Sequence, residues 1–338
     1  MKKAIVTGAH GYIGSVLCNM LEENGYEVMG IDNVLDYQAE RTKHCKSFHY
    51  SDFSSDGILN FIQEYQKDAT IFHLAANSLL GPSATDPLSY FENNTVKTLK
   101  LIKHLSPTNK FIFASTAAVY GQNDSTPKTV NFSKIDPPNN YGLSKYMTEQ
   151  MLDSYCKIGE IRATSFRFFN VIGAYKDSGQ QKGTPHIINK LCEAAHTNTP
   201  FIVNGNNFDT KDGTCIRDYV HVVDICQAMI HADRIMDNRD PGHVAYNLGT
   251  ERGLSVKEII DIFRAICHDV DVVYGPRRPG DPPVLIANPN KFMNETLFKY
   301  EYDHDSVPIM IQHAWNYYNT CRCNMVYHLD VDMRRRNK

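Results

Sequence analysis

The first half of the chain alternates between two patterns of apolar and polar positions. Short apolar runs, typical of buried parallel strands, are followed by longer segments in which apolar residues recur every three or four positions, as in an amphipathic helix. At the start, an apolar run over residues 4–7 gives way to helical spacing from Ile13 onward. Further strands are predicted at residues 27–31, 48–50, 70–74, 110–114 and 161–168, and helices at 87–105 and 141–156.

This alternation of strands and helices predicts an α/β fold: a doubly wound parallel sheet with right-handed crossovers and helices on both faces. Ligands of such sheets bind at the carboxyl ends of the strands. Polar residues occur there, because Asp52 closes the third predicted strand and Ser115 and Thr116 follow the fifth. We therefore expect a binding site at this edge of the sheet.

The alternation weakens after about residue 174, where polar segments rich in Gly and Asn occupy 176–183 and 204–213. This change predicts a smaller α/β C-terminal domain that binds the substrate. Residues 219–236 are expected to return to the first domain as a strand or helix. The predicted domains are 1–173 plus 217–241, and 174–216 plus 242–338.

Three glycines, Gly8, Gly11 and Gly14, stand between the first strand and the first helix. Glycine there allows a sharp turn, a close approach of a pyrophosphate and tight packing of the helix, whose N-terminus offers free N–H groups. An ordinary glycine-rich turn would look the same in isolation. Asp32, at the end of the second strand, favours dinucleotide binding because an acidic residue there accepts the ribose hydroxyls. It would repel a 2′-phosphate, so NAD is predicted over NADP.

The composition is that of an ordinary soluble protein, with 338 residues, 42% hydrophobic and 22% charged, and a net charge of -3. We expect neither nucleic acid nor a membrane as partner, because the charge is slightly negative and no apolar run approaches the roughly 18 residues of a membrane span. The absence of an apolar signal region predicts a cytoplasmic protein. Nine cysteines are scattered, and Cys321-x-Cys323 lacks a second pair, so no metal site is predicted.

Tyr141 and Lys145 give the sharpest chemical signal in the chain. Residues four apart share one face of a helix, so the Lys145 ammonium is expected near the Tyr141 phenol. A phenol with a pKa near 10 is a poor base at neutral pH, but a nearby cation, aided by a positively charged nicotinamide, lowers that pKa. Tyr141 is thus predicted as a general base. The same helix follows the strand that ends in Ser115 and Thr116, whose hydroxyl groups are placed to hold the reacting oxygen.

Several motifs together resemble one known family. They are the initial glycine pattern, Asp32-Asn33, His73-Leu74-Ala75-Ala76, Asn93, Ser115 through Gly121, Tyr141-x-x-x-Lys145, Phe168-Phe169-Asn170, Asp212 through Asp224, Tyr246 through Gly249, and Arg277 through Asp281. The first of these resemble the extended short-chain dehydrogenase/reductases, with their Rossmann-type fold. The later ones are similar to the UDP-glucose 4-epimerases. The resemblance extends from residue 1 to about residue 290.

The resemblance implies two sets of site residues. The NAD site is expected to include Gly8, Gly11, Tyr12, Ile13, Gly14, Asp32, Asn33, Asp52, Phe53, Ala75, Ala76, Asn93, Tyr141, Lys145 and Phe168. The UDP-sugar site is expected to include Thr116, Asn170, His186, Ile187, Arg217, Tyr219, Arg278, Asp281 and Leu285. Arg217 and Arg278 match positions that hold the diphosphate, which suits the forked guanidinium. Leu285 matches a position beside the 2-substituent of the hexose, although a core strand residue would show the same apolar pattern.

The chain departs from the family pattern at four places. Thr116 stands where many epimerases have Ser, which keeps the hydroxyl and adds a methyl group. Ser78 stands where many members carry a Lys near the nicotinamide, so one cation is missing. His186-Ile187 and Asn204 replace residues of the nucleotide pocket. These departures bear on base and sugar specificity more than on the reaction type.

The expected activity is interconversion of UDP-galactose and UDP-glucose through a transient 4-keto sugar, with NAD retained. A UDP-N-acetylglucosamine or UDP-glucuronate 4-epimerase remains open, as does a non-catalytic NAD-binding redox regulator, although such regulators typically lose the Tyr or the Lys. Dehydratases and decarboxylases are disfavoured because Ala117 and Ala118, rather than carboxylates, follow Thr116. The resemblance also implies a homodimer, formed through the helices at 87–105 and 141–156.

Overall fold

The computed structural model describes residues 1–34, 41–121, 128, 133–159, 161–278 and 280–321. Cys323 and the end of the second predicted domain, 322–338, lie outside these residues. The strands in the described part of the chain are β1 (Lys3–Thr7), β2 (Glu27–Asp32), β3 (Ser47–Tyr50), β4 (Thr70–His73), β5 (Lys110–Thr116), β6 (Arg162–Phe168), β7 (Asn170–Ile172), β8 (Ala174–Tyr175), β9 (Ser178–Gly179), β10 (Phe201–Asn204), β11 (Ile216–His221), β12 (Gly242–Leu248), β13 (Gly253–Ser255), β14 (Val272–Gly275) and β15 (Val284–Leu285).

The helices are α1 (Tyr12–Glu23), α2 (Asp56–Tyr65), α3 (Leu80–Thr85), α4 (Pro87–Phe91), α5 (Lys97–Lys103), α6 (Asn140–Gly159), α7 (Ile187–Thr197), α8 (Val222–Met236), α9 (Val256–Ile266), α10 (Asn290–Thr296) and α11 (Val307–Thr320). A π-helical turn, Glu92–Val96, joins α4 to α5, so the helix predicted at 87–105 is continuous but bulged. Within the described residues, no helix is long and apolar enough to cross a membrane.

Seven parallel strands form the main sheet, in the order β12-β6-β5-β4-β1-β2-β3. Apolar side chains cover both of its faces, as the runs of apolar residues in the strands require. On one face α1 and α8 bury residues such as Leu17 and Met229, and on the other α2, α5 and α6 bury residues such as Ile62 and Leu101. Each such side chain stabilises the fold by about 1.5–3 kcal/mol. The predicted Rossmann-type fold class is confirmed.

The smaller region contains a sheet in which β11 pairs with β7, β13 and β15, and a parallel pair of β10 with β14. Helices α7, α9 and α11 enclose its core, which includes Leu191, Phe263 and Met310. A capping box fixes the start of α9, because Ser255 accepts from the Glu258 N–H and the Glu258 carboxylate accepts from the Ser255 N–H.

Two strands, β11 and β12, do not lie in the domains predicted for them from the sequence. β12 extends the main sheet, pairing with β6 over seven residues, although 242–338 was assigned to the second domain. β11 lies in the small sheet, although 217–241 was assigned to the first, while α8 does pack against α1 of the first region. The physical reason for β12 is its edge position. An edge strand needs no continuous apolar run, and polar residues such as His243 and Asn247 interrupt this one.

Candidate active site

A cavity of about 1700 Å³ opens at the carboxyl ends of β1, β2, β4, β5 and β6 and continues under the smaller region. Its walls bring together residues from the start of the chain to Leu285. Among the described residues, every predicted site residue except Asp52 lines this cavity. The two predicted sets occupy one continuous space, as a reaction between a cofactor and a substrate requires.

The glycine turn follows β1 and begins at Gly8, whose φ of 73° favours glycine. A Cβ on Gly8 would lie 2.7 Å from the Ala75 N, and one on Gly14 would lie 2.0 Å from the Gly8 O. These contacts explain why side chains are excluded from the turn. The N–H groups of Tyr12, Ile13 and Gly14, at the start of α1, have no hydrogen-bond partner among the described residues, and α1 directs its positive end at the cavity.

Asp32 ends β2 beside this turn. One carboxylate oxygen, Oδ2, accepts from the His10 N–H at 3.0 Å, and Oδ1 accepts from the Val34 N–H at 3.2 Å. A carboxylate has about four acceptor positions. These two bonds therefore orient the group and leave acceptor positions open toward the cavity.

Asp52 is the predicted site residue that does not reach the cavity wall in the described part of the chain. Its carboxylate accepts from Lys97 Nζ at 2.5 Å, and from the Ser54 N–H and hydroxyl at 2.9 and 2.7 Å. Burial raises the pKa of Asp52, but these bonds lower it by more, so the pKa lies below its ordinary value. The neighbouring Phe53 does line the cavity.

The π-helical turn positions a pair of asparagines that line and support the wall. Asn93 faces the cavity, and its amide donates to Asn94 Oδ1 at 3.2 Å. Asn94 in turn bonds the backbone N–H and O of Asn77 at 2.8 and 2.9 Å, and donates to the Ser144 hydroxyl at 3.0 Å. Such bulges occur frequently at functional sites. This one ties the helix that carries Asn93 to the helix that carries Tyr141.

Tyr141 lies at the start of α6. The next residue, Gly142, allows this end of the helix to approach the loop after β5. A Cβ on Gly142 would stand only 2.4 Å from the Ala118 O. Burial raises the pKa of Tyr141 to about 12, although a hydrogen bond with the Thr116 side chain lowers it. Thr116 and Tyr141, the predicted pair, thus line the same cavity, and the Thr116 side chain favours the ionised form of Tyr141.

Lys145 lies one helical turn beyond Tyr141, is only 2% exposed, and places Nζ 4.6 Å from the centre of the Phe113 ring. Burial lowers the pKa of Lys145 to about 7, against a raising influence of Glu149. From the sequence, a cation here was predicted to lower the pKa of Tyr141. In the structure burial dominates instead, because both groups are withdrawn from water and their neutral forms are favoured.

Glu149 and Arg167, which the sequence analysis did not select, form a buried ion pair behind Lys145. Arg167 Nη2 lies 2.5 Å from Glu149 Oε2, and Ser115 donates to Glu149 Oε1 at 2.5 Å. The signal for Glu149 was present in the sequence, because it continues the spacing of four from Tyr141 and Lys145. Nothing local marked Arg167, which comes from β6 and is brought near by the sheet.

The other end of the cavity is built around β11. Arg217 is 9% exposed, donates to the Pro282 O at 2.8 Å, and has Nη2 3.8 Å from Asp281 Oδ1. Leu285 is its register partner in β15 and packs partly against a buried cluster that includes Tyr120 and Phe169. Leu285 thus lines the cavity and also contacts the core, and its role beside the sugar stays a prediction.

The remaining predicted residues surround this end. Asn170 lies opposite the buried Tyr219 in the pairing of β7 with β11. His186 and Ile187 stand at the start of α7, and Arg278 lies exposed at the rim. Arg277 is not among the cavity-lining residues in the described part of the chain. It donates to Asn207 Oδ1 at 2.6 Å and lies 4.2 Å from the Phe208 ring centre.

The extent of the match to one family decides the identification. That family's pattern covers residues 4–249, from β1 to just past β12. The chain belongs to the NAD dependent epimerase/dehydratase family.

Relatives of this epimerase/dehydratase family member confirm the resemblance to the UDP-glucose 4-epimerases. The UDP-glucose 4-epimerase of Halalkalibacterium halodurans is 33% identical over 321 residues, which are 93% of this chain and 95% of that protein. The solved UDP-glucose 4-epimerase from Brucella ovis, in complex with NAD, has a TM-score of 0.85 and 30% identity, covering 94% of this chain and 98% of that one. The UDP-Glc/GlcNAc 4-epimerase from Campylobacter jejuni has a TM-score of 0.79 and 32% identity, covering 95% and 100%.

The residues of this family member fit NAD. The free N–H groups at the start of α1 suit a pyrophosphate, because a helix N-terminus binds anions. The open acceptor positions of Asp32 suit ribose hydroxyls and oppose a 2′-phosphate. Tyr141 and Lys145 line the same cavity farther along, where the sheet order places the ends of β5 and β6.

Proposed function

We propose that this chain is a UDP-glucose 4-epimerase that retains NAD and interconverts UDP-galactose and UDP-glucose. The observation that carries the proposal is the single cavity in which Tyr141, Thr116 and Lys145 lie between an NAD-type glycine turn and the Arg217 guanidinium. Bound NAD would take a hydride from the sugar C4 and return it. All other steps belong to side chains of the chain.

The proton chemistry is assigned to Tyr141 and Thr116. Tyr141 takes the proton of the sugar 4-hydroxyl, and Thr116, whose side chain favours the ionised form of Tyr141, holds the same oxygen. Because burial disfavours the phenolate, Tyr141 gives up its proton only when positive charge is close by. Lys145 supplies part of that charge when protonated.

Arg217 and Arg278 hold the substrate diphosphate, and the sugar turns about its link to that anchor. The arrangement separates two tasks. Charge-assisted hydrogen bonds fix one end of the molecule, while the apolar wall near Leu285 makes few directional contacts with the sugar. A transient 4-keto sugar can then present either face to the catalytic residues.

The test of cofactor retention is direct. Denaturing the purified protein should release NAD or NADH in an amount close to one per chain, because the proposed cycle regenerates the cofactor in place. Empty sites combined with activity that depends strictly on added NADP would contradict the proposal.

The test of the reaction is incubation with UDP-galactose, UDP-N-acetylglucosamine and UDP-glucuronate in separate samples, with products identified by NMR. We expect UDP-glucose from the first as the fastest conversion. A 4-keto-6-deoxy product would instead identify a dehydratase, and no conversion of any sugar with NAD bound would favour a redox regulator.

A second substrate class, the N-acetylhexosamine pair, is favoured by Leu285. Its side chain lines the cavity next to the strand that carries Arg217, and it is shorter than a tyrosine. We therefore expect measurable but slower N-acetyl turnover. Leu285→Tyr should lower that turnover by roughly 10- to 200-fold and spare the hexose reaction, since one steric contact changes a barrier by about 1–3 kcal/mol. Equal loss of both activities would show that Leu285 does not select the sugar.

We further propose that the enzyme is a cytoplasmic homodimer. Leu88, Val96, Leu143 and Met147 are exposed apolar side chains on the two helical segments that the family resemblance assigns to a dimer interface. The described cysteines are all free thiols, which suits a reducing compartment. Sedimentation of the purified protein at the mass of one chain would contradict the dimer.

A further inference from the structure

Arg41 is a buried cation that none of the chemistry above uses. It is 2% exposed and is among the largest fully buried side chains of the described residues. Its five hydrogen bonds end on carbonyl and hydroxyl oxygens, and no carboxylate pairs with it in the described part of the chain. A buried charge whose partners among the described residues are all neutral is costly, so its location calls for a physical reason.

The guanidinium lies against the glycine turn. Nε donates to the His10 O at 2.9 Å, while Nη2 donates to the Gly11 O at 3.1 Å and to the Ser15 hydroxyl at 2.9 Å. These acceptors bracket the first turn of α1. The side chain thus fixes the segment whose free N–H groups face the cavity.

The same guanidinium reaches the smaller region of the molecule. Nη1 donates to the Tyr317 hydroxyl on α11 at 2.8 Å, and Nη2 also lies 3.1 Å from the Gly179 O at the end of β9. Gly179 and Tyr317 are themselves in close packing, since a Cβ on Gly179 would stand 2.6 Å from the tyrosine ring. One side chain therefore joins the turn to two later segments.

The bond to the Gly11 carbonyl also acts on a donor of the anion site. In a trans peptide the N–H of the following residue points opposite to the carbonyl. A cation at the Gly11 O therefore polarises the peptide group between Gly11 and Tyr12, which includes the Tyr12 N–H. That N–H has no partner among the described residues. A positive charge beside it adds to the helix dipole and favours an anion there.

We propose that Arg41 is a positioning residue for the cofactor pyrophosphate: it holds the glycine turn in its binding conformation and supplies the positive charge behind it. The proposal rests on NAD binding as proposed above. Arg41 is not among the residues assigned to the reaction, so its expected effect is on nucleotide affinity.

The experiment compares two ligands on full-length protein freed of nucleotide, by calorimetric titration. ADP-ribose carries the pyrophosphate, and adenosine does not. Arg41→Gln should weaken ADP-ribose about 10- to 100-fold, as expected for a charge-assisted interaction, and leave adenosine within about twofold. Arg41→Lys, which keeps the charge, should restore most of the ADP-ribose affinity.

Lys43→Met is the matched control. Lys43 lies two residues away, is exposed, and pairs with Asp177, which lies between β8 and β9, so its removal takes away one positive charge without touching the turn. Its ratio of ADP-ribose to adenosine affinity should equal that of the unmodified chain.

Equal weakening of both ligands in Arg41→Gln, or no weakening, would overturn the role of Arg41. If that variant does not fold, Arg41→Lys decides, because a tenfold or larger fall in its affinity ratio contradicts a role carried by charge. An unmodified chain that binds neither ADP-ribose nor NAD would instead overturn the proposed function.

Discussion

The two ends of the cavity are built in different ways. The cofactor end is made mainly of backbone: three glycines and the free N–H groups of α1, all within one β1-α1-β2 unit. The nucleotide-sugar end is made of side chains from separate segments, such as Asn170, Arg217 and Asp281, brought together by a small mixed sheet. The first end depends on the absence of side chains and the second on their presence.

This difference predicts opposite sensitivities. A methyl group added to one of the glycines should weaken binding at the cofactor end. Removal of a charged side chain should weaken binding at the nucleotide-sugar end. Tyr141 and Thr116, the proposed catalytic residues, lie where the two ends meet, and substitutions there should change the rate without changing the binding of either ligand.

Tyr141→Phe should give the largest effect. It removes the hydroxyl that we propose as the general base but keeps the ring, so turnover should fall by about 10²- to 10⁴-fold while the content of bound NAD and the affinity for UDP stay nearly unchanged. Tyr146→Phe, on the same helix but not in the cavity wall of the described residues, is the control and should keep full activity. Near-normal turnover in Tyr141→Phe would show that another group moves the proton.

Arg217→Met should raise the KM for UDP-galactose by about 10- to 100-fold, since it removes the charge-assisted contact that we propose with the diphosphate, and leave bound NAD unchanged. Arg277→Met removes a similar charge from a residue that bonds Asn207 instead. Steady-state kinetics should show little change in this control. A larger effect from Arg277 than from Arg217 would reverse the assignment.

Gly14→Ala should destabilise the protein by about 1–3 kcal/mol, because a Cβ overlaps the Gly8 O and the turn must shift. The content of bound NAD should fall with it. Gly57→Ala in α2 meets no atom within 4 Å and should stabilise by about 0.5–1 kcal/mol. Urea unfolding measures both. Equal free energies of unfolding for the two variants would show that the close approach of Gly14 to the Gly8 O does not exclude a side chain.

Lys145 gives a smaller, pH-dependent effect. Its pKa in the folded chain is about 7, below the ordinary 10.5, so between these values the unfolded chain binds more protons and the folded state gains stability as pH rises. The advantage of Lys145→Met over the unmodified chain should therefore shrink by about 1 kcal/mol between pH 7 and pH 8. Urea unfolding of nucleotide-free protein at both values tests this, and a constant difference would mean that Lys145 stays charged when buried.

The same contrast explains what the sequence could predict. Gly8, Asp32 and the helix of Tyr141 belong to continuous periodic segments, so their positions at the strand ends followed from local pattern. Leu285 and Arg217 become neighbours only through the pairing of β15 with β11, which no local pattern encodes. Arg41 was missed for the same reason, because its partners His10, Gly179 and Tyr317 are distant in the chain.

Local pattern also could not predict that β12 lies in the main sheet and β11 in the small sheet. Edge strands and mixed sheets tolerate polar residues on one face, so the apolar runs that identified β1 and β5 have no counterpart at His243 or Asn247. The pKa of Tyr141 could not be predicted either. Spacing placed a lysine nearby, but only the packing shows that burial outweighs its charge.

In the proposed reaction, one site removes and restores the hydrogen at C4 of a UDP-hexose. Incubation of UDP-galactose deuterated at C4 with the purified protein, without added nucleotide, followed by NMR of the product, measures this step. We expect UDP-glucose that keeps the deuterium at C4. UDP-glucose that has lost the label to solvent, or a complete absence of UDP-glucose from protein that contains NAD, would contradict it.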